Sequence, residues 1–343
     1  MSLLLVGNLS KRRPTVFGGC HQAGNDFSVI LTERVSCNQC DSPHTSIVAQ
    51  GTDREYFSCP DIFWIKRCMG CGLVYLSPRP QASELGRIYP PGYHSYAMGG
   101  RGPRQRAAKL RFRRIILDHF KNVPFIRLLD VGCGNGWHLD LARAVGPRRI
   151  DTVGIDIDER AVATAQKHGH IAFAGRFEDV HLDRQFDLIT MTHVIEHLSD
   201  PQAAVAKAAR MLNPGGVLAI ETPNIGSWEY RRFKAHWGAY HIPRHWTFYD
   251  RDSIQSLGEL EGLKLVDWYC HPGPTHWVWT MHNIALSRKG WPWHHLDRMF
   301  DPIAIFKGGL WFKALLAAFW CLDRAALALG RQTSVMTALF RKG

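Results

Sequence analysis

The run LLDVGCGNGW, residues 128–137, decides the architecture. An apolar, strand-like stretch ends at Asp130 and Val131, and Gly132, Gly134 and Gly136 follow where the chain turns toward a helix. Glycines in such a turn remove Cβ atoms and let a nucleotide-like ligand approach the backbone closely. Alone, the pattern also suits a plain strand-to-helix turn. A second residue sharpens it: the next apolar stretch ends in Asp156, about 20 residues past the last glycine, where a carboxylate can accept both ribose hydroxyls. A dinucleotide site usually reads G-x-G-x-x-G to seat a pyrophosphate, whereas here the third glycine comes one residue early.

Outward from this loop, short apolar runs alternate with helical stretches, the pattern of a parallel α/β sheet. The expected strands are 125–131, 150–156, 170–175, 186–192, 215–222, 263–270 and 334–342. Between them, Asp200 reads as an N-cap with Pro201 at the first helical position, and Asn213, Pro214 and Gly215 end that helix. The expected fold is therefore a Rossmann-like α/β domain over residues 106–343, with a seven-stranded, mostly parallel sheet and a helical insertion at about 271–333 before the last strand. In front of it the sequence divides into a poorly ordered leader (1–34), a zinc-ribbon-like module (35–80) and a Pro/Gly-rich linker (81–105).

With 45% apolar and 21% charged residues in 343, the chain is globular rather than disordered. A net charge of +12 favours anionic partners: nucleic acid, anionic lipid or phosphorylated small molecules. The opening MSLLLVGNLSKRRP has too short an apolar run for a signal peptide, so the expected compartment is the cytoplasm, where paired cysteines more often hold metal than form disulfides. Cys37 and Cys40 form one C-x-x-C pair and Cys68 and Cys71 another, enough for a tetrahedral structural zinc site. Cys59 lies between the pairs, which leaves a ligand swap, a free thiol, a disulfide or inert buried cysteines as alternatives.

The glycine run with Asp156 resembles the class I S-adenosylmethionine methyltransferases from about Ile126 to the C-terminus. The family's acidic-x-G-x-G-x-G signature falls on Asp130, Gly132, Gly134 and Gly136, and implies that this loop, with Cys133 and Asn135, wraps the methionine part of the cofactor. The resemblance puts the ribose on Asp156 and extends the cofactor shell to Ile157 and His193. An acidic residue often follows the family's third strand, but here the stretch reads GRFED; Arg176 departs from the pattern, and the adenine contact is assigned to Phe177 as an apolar wall and to Glu178. The paired cysteines followed by CGLVYLSPRP and YPPGYHSY resemble the zinc-bearing leader of a subset of these enzymes, with Tyr93 and Tyr96 as residues that reach toward the pocket or serve as ordinary linker tyrosines.

A sulfonium methyl is already activated, so the protein has mainly to align the acceptor and exclude water, with a base where the acceptor is a hydroxyl or an acidic carbon. THVIEHLSDP places His193, Glu196 and His197 at the carboxyl end of the fourth strand. His197 is the expected base, with Glu196 beside it. The string also matches the H-x-x-E-H protease motif, which needs a long helix; the three groups can otherwise bind a divalent ion or merely brace the junction. Further on, Trp237, His241, Arg244, His245 and Tyr249 lie in a stretch that covers the acceptor pocket in the resembling family, and either recognise the acceptor or pack. Near the C-terminus, Trp311, Leu315, Phe319, Leu322, Ala326 and Leu329 share one helical face opposite Lys313, Arg324 and Arg331. That suits a helix lying on anionic membrane or one packed on the core, and is too short to span a bilayer.

The sequence thus points to methyl transfer onto a hydroxyl or carbon of a small or lipid-linked acceptor, with peripheral contact to the inner face of a membrane. The alternatives are an RNA-directed methyltransferase or RNA-binding module using the basic run Arg101, Arg104, Arg106, Lys109, Arg111, Arg113 and Arg114, and a non-catalytic scaffold. The fourth strand lacks the Asn/Asp-Pro-Pro-aromatic loop of the nucleic-acid amino-methyltransferases.

Overall fold

The computed structural model describes residues 28–90, 103–121, 123–145, 149–288, 293–307 and 309–343. The strands are β1 (Thr32–Glu33), β2 (Thr45–Gly51), β3 (Phe63–Cys68), β4 (Val74–Leu76), β5 (Arg79–Pro80), β6 (Phe125–Val131), β7 (Arg149–Asp156), β8 (Ile171–Ala174), β9 (Phe186–Thr192), β10 (Leu212–Pro223), β11 (Thr247–Phe248), β12 (Leu263–His271) and β13 (Val335–Lys342). The helices are α1 (Leu85–Ile88), α2 (Pro103–His119), α3 (Trp137–Arg143), α4 (Glu159–Lys167), α5 (Pro201–Met211), α6 (Trp228–Phe233), α7 (Arg251–Leu260), α8 (Pro274–Ser287), α9 (Trp293–Met299) and α10 (Leu310–Ala328).

Buried apolar residues run almost without interruption through β6, β7 and β9, as a parallel sheet covered on both faces requires. Seven strands form one sheet in the order β12-β13-β10-β9-β6-β7-β8, parallel except for β13, which runs antiparallel between β10 and β12. The helix α2 lays Ala108, Phe112, Ile115 and Ile116 on one face. On the other, α5 and α7 supply Ala204, Val205, Ala208, Ile254 and Leu257. Side chains of the Val, Leu, Ile and Phe type contribute about 1.5–3 kcal/mol each on full burial, which is what fixes the strand register. The strand β6 pairs with both β7 and β9, so the chain's progress across the sheet reverses between β6 and β9. Ligands of open α/β sheets bind beyond the carboxyl ends of strands at such a switch point.

All seven expected strands are present, with one adjustment. The strand β10 begins at Leu212, directly after α5, and Asn213, Pro214 and Gly215 fall in a register irregularity between Leu212 and Val217. The α5 cap is as expected: the Asp200 carboxylate accepts from the Ala203 N–H at 2.9 Å and Pro201 opens the helix. Between β12 and β13 come α8, α9 and α10, the expected helical insertion.

The N-terminal part is less separate than the sequence suggests. Residues 32–33 pair with 79–80, so ordered structure starts ahead of Val35, inside the expected leader. The module sheet runs β11-β4-β3-β2, and its edge strand β11 comes from far along the chain, after α6. Phe63, Ile65, Val74, Leu76 and Ile88 share one core with Trp237, Tyr240, Trp246 and Phe248. The apolar faces of the short module strands are thus covered by the segment that follows α6, a pairing that no local pattern encodes. Residues 91–102, including Tyr93 and Tyr96, lie outside the described residues.

Candidate functional site

The glycine loop turns out of β6 with Gly132, Gly134 and Gly136 at φ of 75°, 52° and 84°, a region costly for side-chain-bearing residues. A Cβ on Gly132 would lie 2.4 Å from Val194 Cγ2, which explains that glycine by packing. A Cβ on Gly134 would meet nothing within 4 Å, so the loop presents bare backbone to open space there. The Gly134 N–H donates to Asp156 Oδ2 at 2.8 Å, and the Asp158 N–H donates to Asp156 Oδ1 at 2.9 Å. Asp156 therefore ties the loop to the end of β7, and burial raises its carboxyl pKa. Asp130 is buried beneath the loop; its Oδ1 accepts from Thr190 Oγ1 at 2.6 Å, and burial raises its pKa to about 7. Cys133 packs inward, Asn135 Oδ1 accepts from the Trp137 N–H, and Ile157 is 55% exposed beside Asp156. Phe177 does not form the expected wall: it is 3% exposed in the core, under the Lys207 ammonium, because the turn after β8 points it at α5. Glu178 pairs with Arg176 at 3.2 Å.

Across the switch point, β9 gives way to His193, whose φ is 53°, and a single 3-10 turn carries Glu196 and His197. Three residues in such a turn do not provide the long helix that an H-x-x-E-H zinc protease needs. Glu196 accepts from Thr222 Oγ1 at 3.1 Å and lies 3.1 Å from His193 Nδ1. Burial opposes charge on His193, yet the Glu196 hydrogen bond and the Glu196 and Glu221 carboxylates raise its pKa overall. His197 goes the other way: burial holds it down at about 4. His197 Nδ1 lies 3.0 Å from the Arg244 carbonyl and 2.8 Å from Tyr89 Oη. A carbonyl only accepts, so in the tautomer that bonds Arg244 Nδ1 carries the proton and Nε2 keeps its lone pair. His245 repeats the arrangement, with Nδ1 2.8 Å from the Ala239 carbonyl. One ligand atom from each of Glu196, His197 and His245 fits within 4.8 Å, so His245, not His193, completes that cluster.

The remaining expected acceptor residues divide. Trp237 and Tyr249 are packed in cores, and Trp237 Nε1 donates to Ser334 Oγ at 3.0 Å. Arg244 is 0% exposed and bonds Asp53 through both terminal nitrogens, at 3.1 and 2.8 Å, while its Nε donates to the Ile88 carbonyl. Its guanidinium thus docks the cysteine module instead of facing a ligand. His241 Nδ1 lies 2.8 Å from Glu55 Oε2, and its ring is 4.9 Å from that of His245.

Several residues of the site escape sequence reasoning. Glu221, near the end of β10, is buried against Arg111 (3.3 Å), His271 (3.2 Å) and His193 (3.5 Å). Burial disfavours its charge, but Arg111, His271 and His193 hold its carboxyl well below the usual range. Arg111 and Glu221 line a cavity of about 360 Å³ with His138, Thr190, Thr192 and Tyr269. Tyr89, at the start of the YPPGYHSY stretch, reaches the site, while Tyr93 and Tyr96 lie outside the described residues.

The two cysteine knuckles are alike. In each, the residue after the second cysteine has positive φ (Asp41 54°, Gly72 82°) and its N–H donates to the first cysteine's carbonyl, at 2.8 and 3.1 Å. Cys37 and Cys71 sulfurs are 3.5 Å apart, as are those of Cys40 and Cys68, and all four lie within 4.8 Å of one another. A tetrahedron with Zn–S of about 2.3 Å has edges of about 3.8 Å, so the four sulfurs fit the ion. Cys59 is buried in the core shared with Trp237 and stands apart from this cluster.

The glycine loop, the acid one strand away and the reversed strand order agree with a comparison across known families. Residues 104–267 match a methyltransferase domain. This match takes in 164 of the 343 residues, from α2 into β12. The chain is 34% identical over 119 residues to a ubiquinone biosynthesis O-methyltransferase from Aromatoleum aromaticum, covering 32% of this chain and 47% of that protein. The protein of the same description from Pseudomonas fluorescens is 31% identical over 118 residues, covering 32% of this chain and 49% of the relative. The chain therefore spans about half the length of the curated relatives it matches. Among solved structures, a putative sarcosine dimethylglycine methyltransferase from Galdieria sulphuraria aligns with a TM-score of 0.45 at 16% identity, covering 71% of this chain and 92% of that one.

Proposed function

We propose that the protein transfers the methyl group of S-adenosylmethionine to a hydroxyl or carbon of a small or lipid-linked acceptor. The observation that carries this reading is the bare backbone at Gly134, bonded to Asp156 at the switch point of the sheet. The loop holds the methionine part and Asp156 the ribose. Its two N–H bonds to the loop and to Asp158 leave lone pairs on both carboxylate oxygens. For a hydroxyl acceptor, the oxygen forms the new bond to the methyl carbon as the carbon–sulfur bond breaks. The electron pair stays on sulfur as S-adenosylhomocysteine, and the hydroxyl proton passes to His197 Nε2. The adjacent Glu196 carboxylate stabilises the resulting imidazolium, while Tyr89 and the Arg244 carbonyl fix the ring.

A second reading of Glu196, His197 and His245 is favoured by one observation. Both histidines give Nδ1–H to a backbone carbonyl, the arrangement that orients Nε2 toward a metal. The three would then hold a divalent cation that polarises the acceptor hydroxyl. Metal analysis of wild type and His245→Ala separates the two: a cation bound at these residues is lost on substitution, whereas a base at His197 needs none.

The cysteine cluster suits a structural zinc ion, which would brace the module carrying Asp53. A peripheral site on anionic membrane is proposed for α10 and its C-cap Leu329, where Leu310, Trp311, Leu322 and Leu329 are exposed and Lys313 and Arg324 lie on the face opposite Trp311, Leu322 and Leu329. Among the described residues no helix is long and apolar enough to cross a membrane. An RNA acceptor is less favoured, since Arg111 and Arg114 of the basic run already face Glu221, Asp118 and Asp267. The deciding experiment offers labelled cofactor with lipid extracts, sugar nucleotides and RNA. Label appearing in lipid or small-molecule acceptors supports the reading, label in RNA alone replaces it, and failure to bind S-adenosylhomocysteine by calorimetry defeats it.

A further inference from the structure

A second cavity, about 590 Å³ in volume, lies where the loop after β2, residues 235–242 and α8 meet. Its lining includes Arg54, Glu55, His236, His241, Trp279 and His282. The Arg54 guanidinium donates through Nη1 to the Asn283 carbonyl at 2.9 Å, and no carboxylate among the described residues pairs with it. Burial lowers its pKa. Burial likewise lowers that of His236, with the positive charges of Arg54 and Arg288 adding to the effect. Glu55 is the one acidic residue on the wall, and it is engaged by His241 at 2.8 Å and by Arg244 at 3.8 Å. Desolvating a cation without a counter-charge is costly, and a bound anion removes that cost. Two packed imidazoles set this cavity beside the candidate active site: the His241 ring on its wall is 4.9 Å from that of His245, which is 4.6 Å from that of His197.

We propose that this cavity is an anion subsite in which Arg54 and His236 seat a phosphoryl group of the acceptor, whose reacting atom lies at His197. The acceptor is therefore a phosphorylated molecule long enough to reach past His241 and His245 to His197. The role in acceptor binding rests on the methyl-transfer reading; the anion site itself does not.

The test is calorimetry on the full chain saturated with S-adenosylhomocysteine, titrated with inorganic phosphate, inorganic pyrophosphate and a short-chain lipid phosphate, for wild type, Arg54→Gln and His236→Ala. Gln keeps a donor for the Asn283 carbonyl, and retained S-adenosylhomocysteine binding reports that each variant is folded. Wild type is expected to bind at least one phosphate probe, and each substitution to weaken it about tenfold or more, the scale of one lost charge-assisted hydrogen bond. The probe that binds more tightly tells a lipid phosphate from a free one. Absence of wild-type binding at millimolar probe, or unchanged affinity in Arg54→Gln, overturns the subsite. Phosphate binding without S-adenosylhomocysteine binding would instead remove the methyl-transfer reading and leave the subsite standing.

Discussion

Replacing Asp53 by Asn should both loosen the fold and slow the reaction. Asp53 and Arg244 are each at most 2% exposed, and their terminal atoms meet at 2.8 and 3.1 Å. Burial disfavours the Asp53 carboxylate, but the Arg244 charge and hydrogen bonds outweigh it and lower the pKa. Opposite charges about 4 Å apart at an effective dielectric of about 20 attract by about 4 kcal/mol. Removing one member of such a pair typically costs about 3–5 kcal/mol, because the other charge is left buried. Asp53 also accepts from the N–H groups of Glu55, Tyr56 and Ser58, so Asp53→Asn should lower the unfolding free energy by about that amount, measured by urea denaturation. Combined with Arg244→Met, the loss should fall short of the sum of the single losses by about 2–4 kcal/mol. The Arg244 carbonyl holds His197, so methyl transfer in Asp53→Asn should slow while S-adenosylhomocysteine still binds. Single losses that add to within about 0.5 kcal/mol would refute the coupling, and with it the reading that this pair docks the module on the catalytic domain.

Other outcomes follow from the same geometry. Asn tolerates positive φ, so Gly134→Asn should fold but fill the cradle, and Asp156→Ala should lose its ribose acceptor; both should abolish S-adenosylhomocysteine binding in calorimetry with an unchanged circular dichroism spectrum. His197→Gln should lower kcat with the cofactor still bound, and Tyr89→Phe should lower it less; full activity in His197→Gln would remove the base assignment. Cys68→Ser should lower the zinc content measured by elemental analysis and release the module to proteolysis, while the β6–β9 core stays protected in hydrogen exchange. Glu229 is held at about 7 by burial, with Ser334 and Thr280 hydroxyls donating at 2.6 Å. Its folded pKa lies above the unfolded value of about 4.5, so the stabilisation is present below that pH and is lost as pH rises to 7, by about 3 kcal/mol. Glu229→Gln should flatten that slope in denaturation curves taken between these two pH values.

The central sheet was legible because its strands are buried on both faces, which forces nearly continuous apolar runs that end in glycine or acidic residues. The cradle was legible for a related reason: positive φ selects glycine, and Gly132, Gly134 and Gly136 write that requirement into the chain. The cysteine knuckles carried their own spacing. For the aromatic segment after α6, the same letters fit recognition and packing equally, and burial decided that Arg244, Trp237 and Tyr249 are structural while His245 stands beside His197.

What the sequence determined by itself was local: strand positions, the bare turn, the acid at the end of β7 and four thiols at two knuckles, each set by interactions spanning a few residues. What only the tertiary structure decided was long-range. The pairing of β11 with β4 and the burial of Arg244 against Asp53 bring together residues more than 170 positions apart. These contacts depend on complementary shape and charge between distant surfaces, a property that appears only once both surfaces have folded.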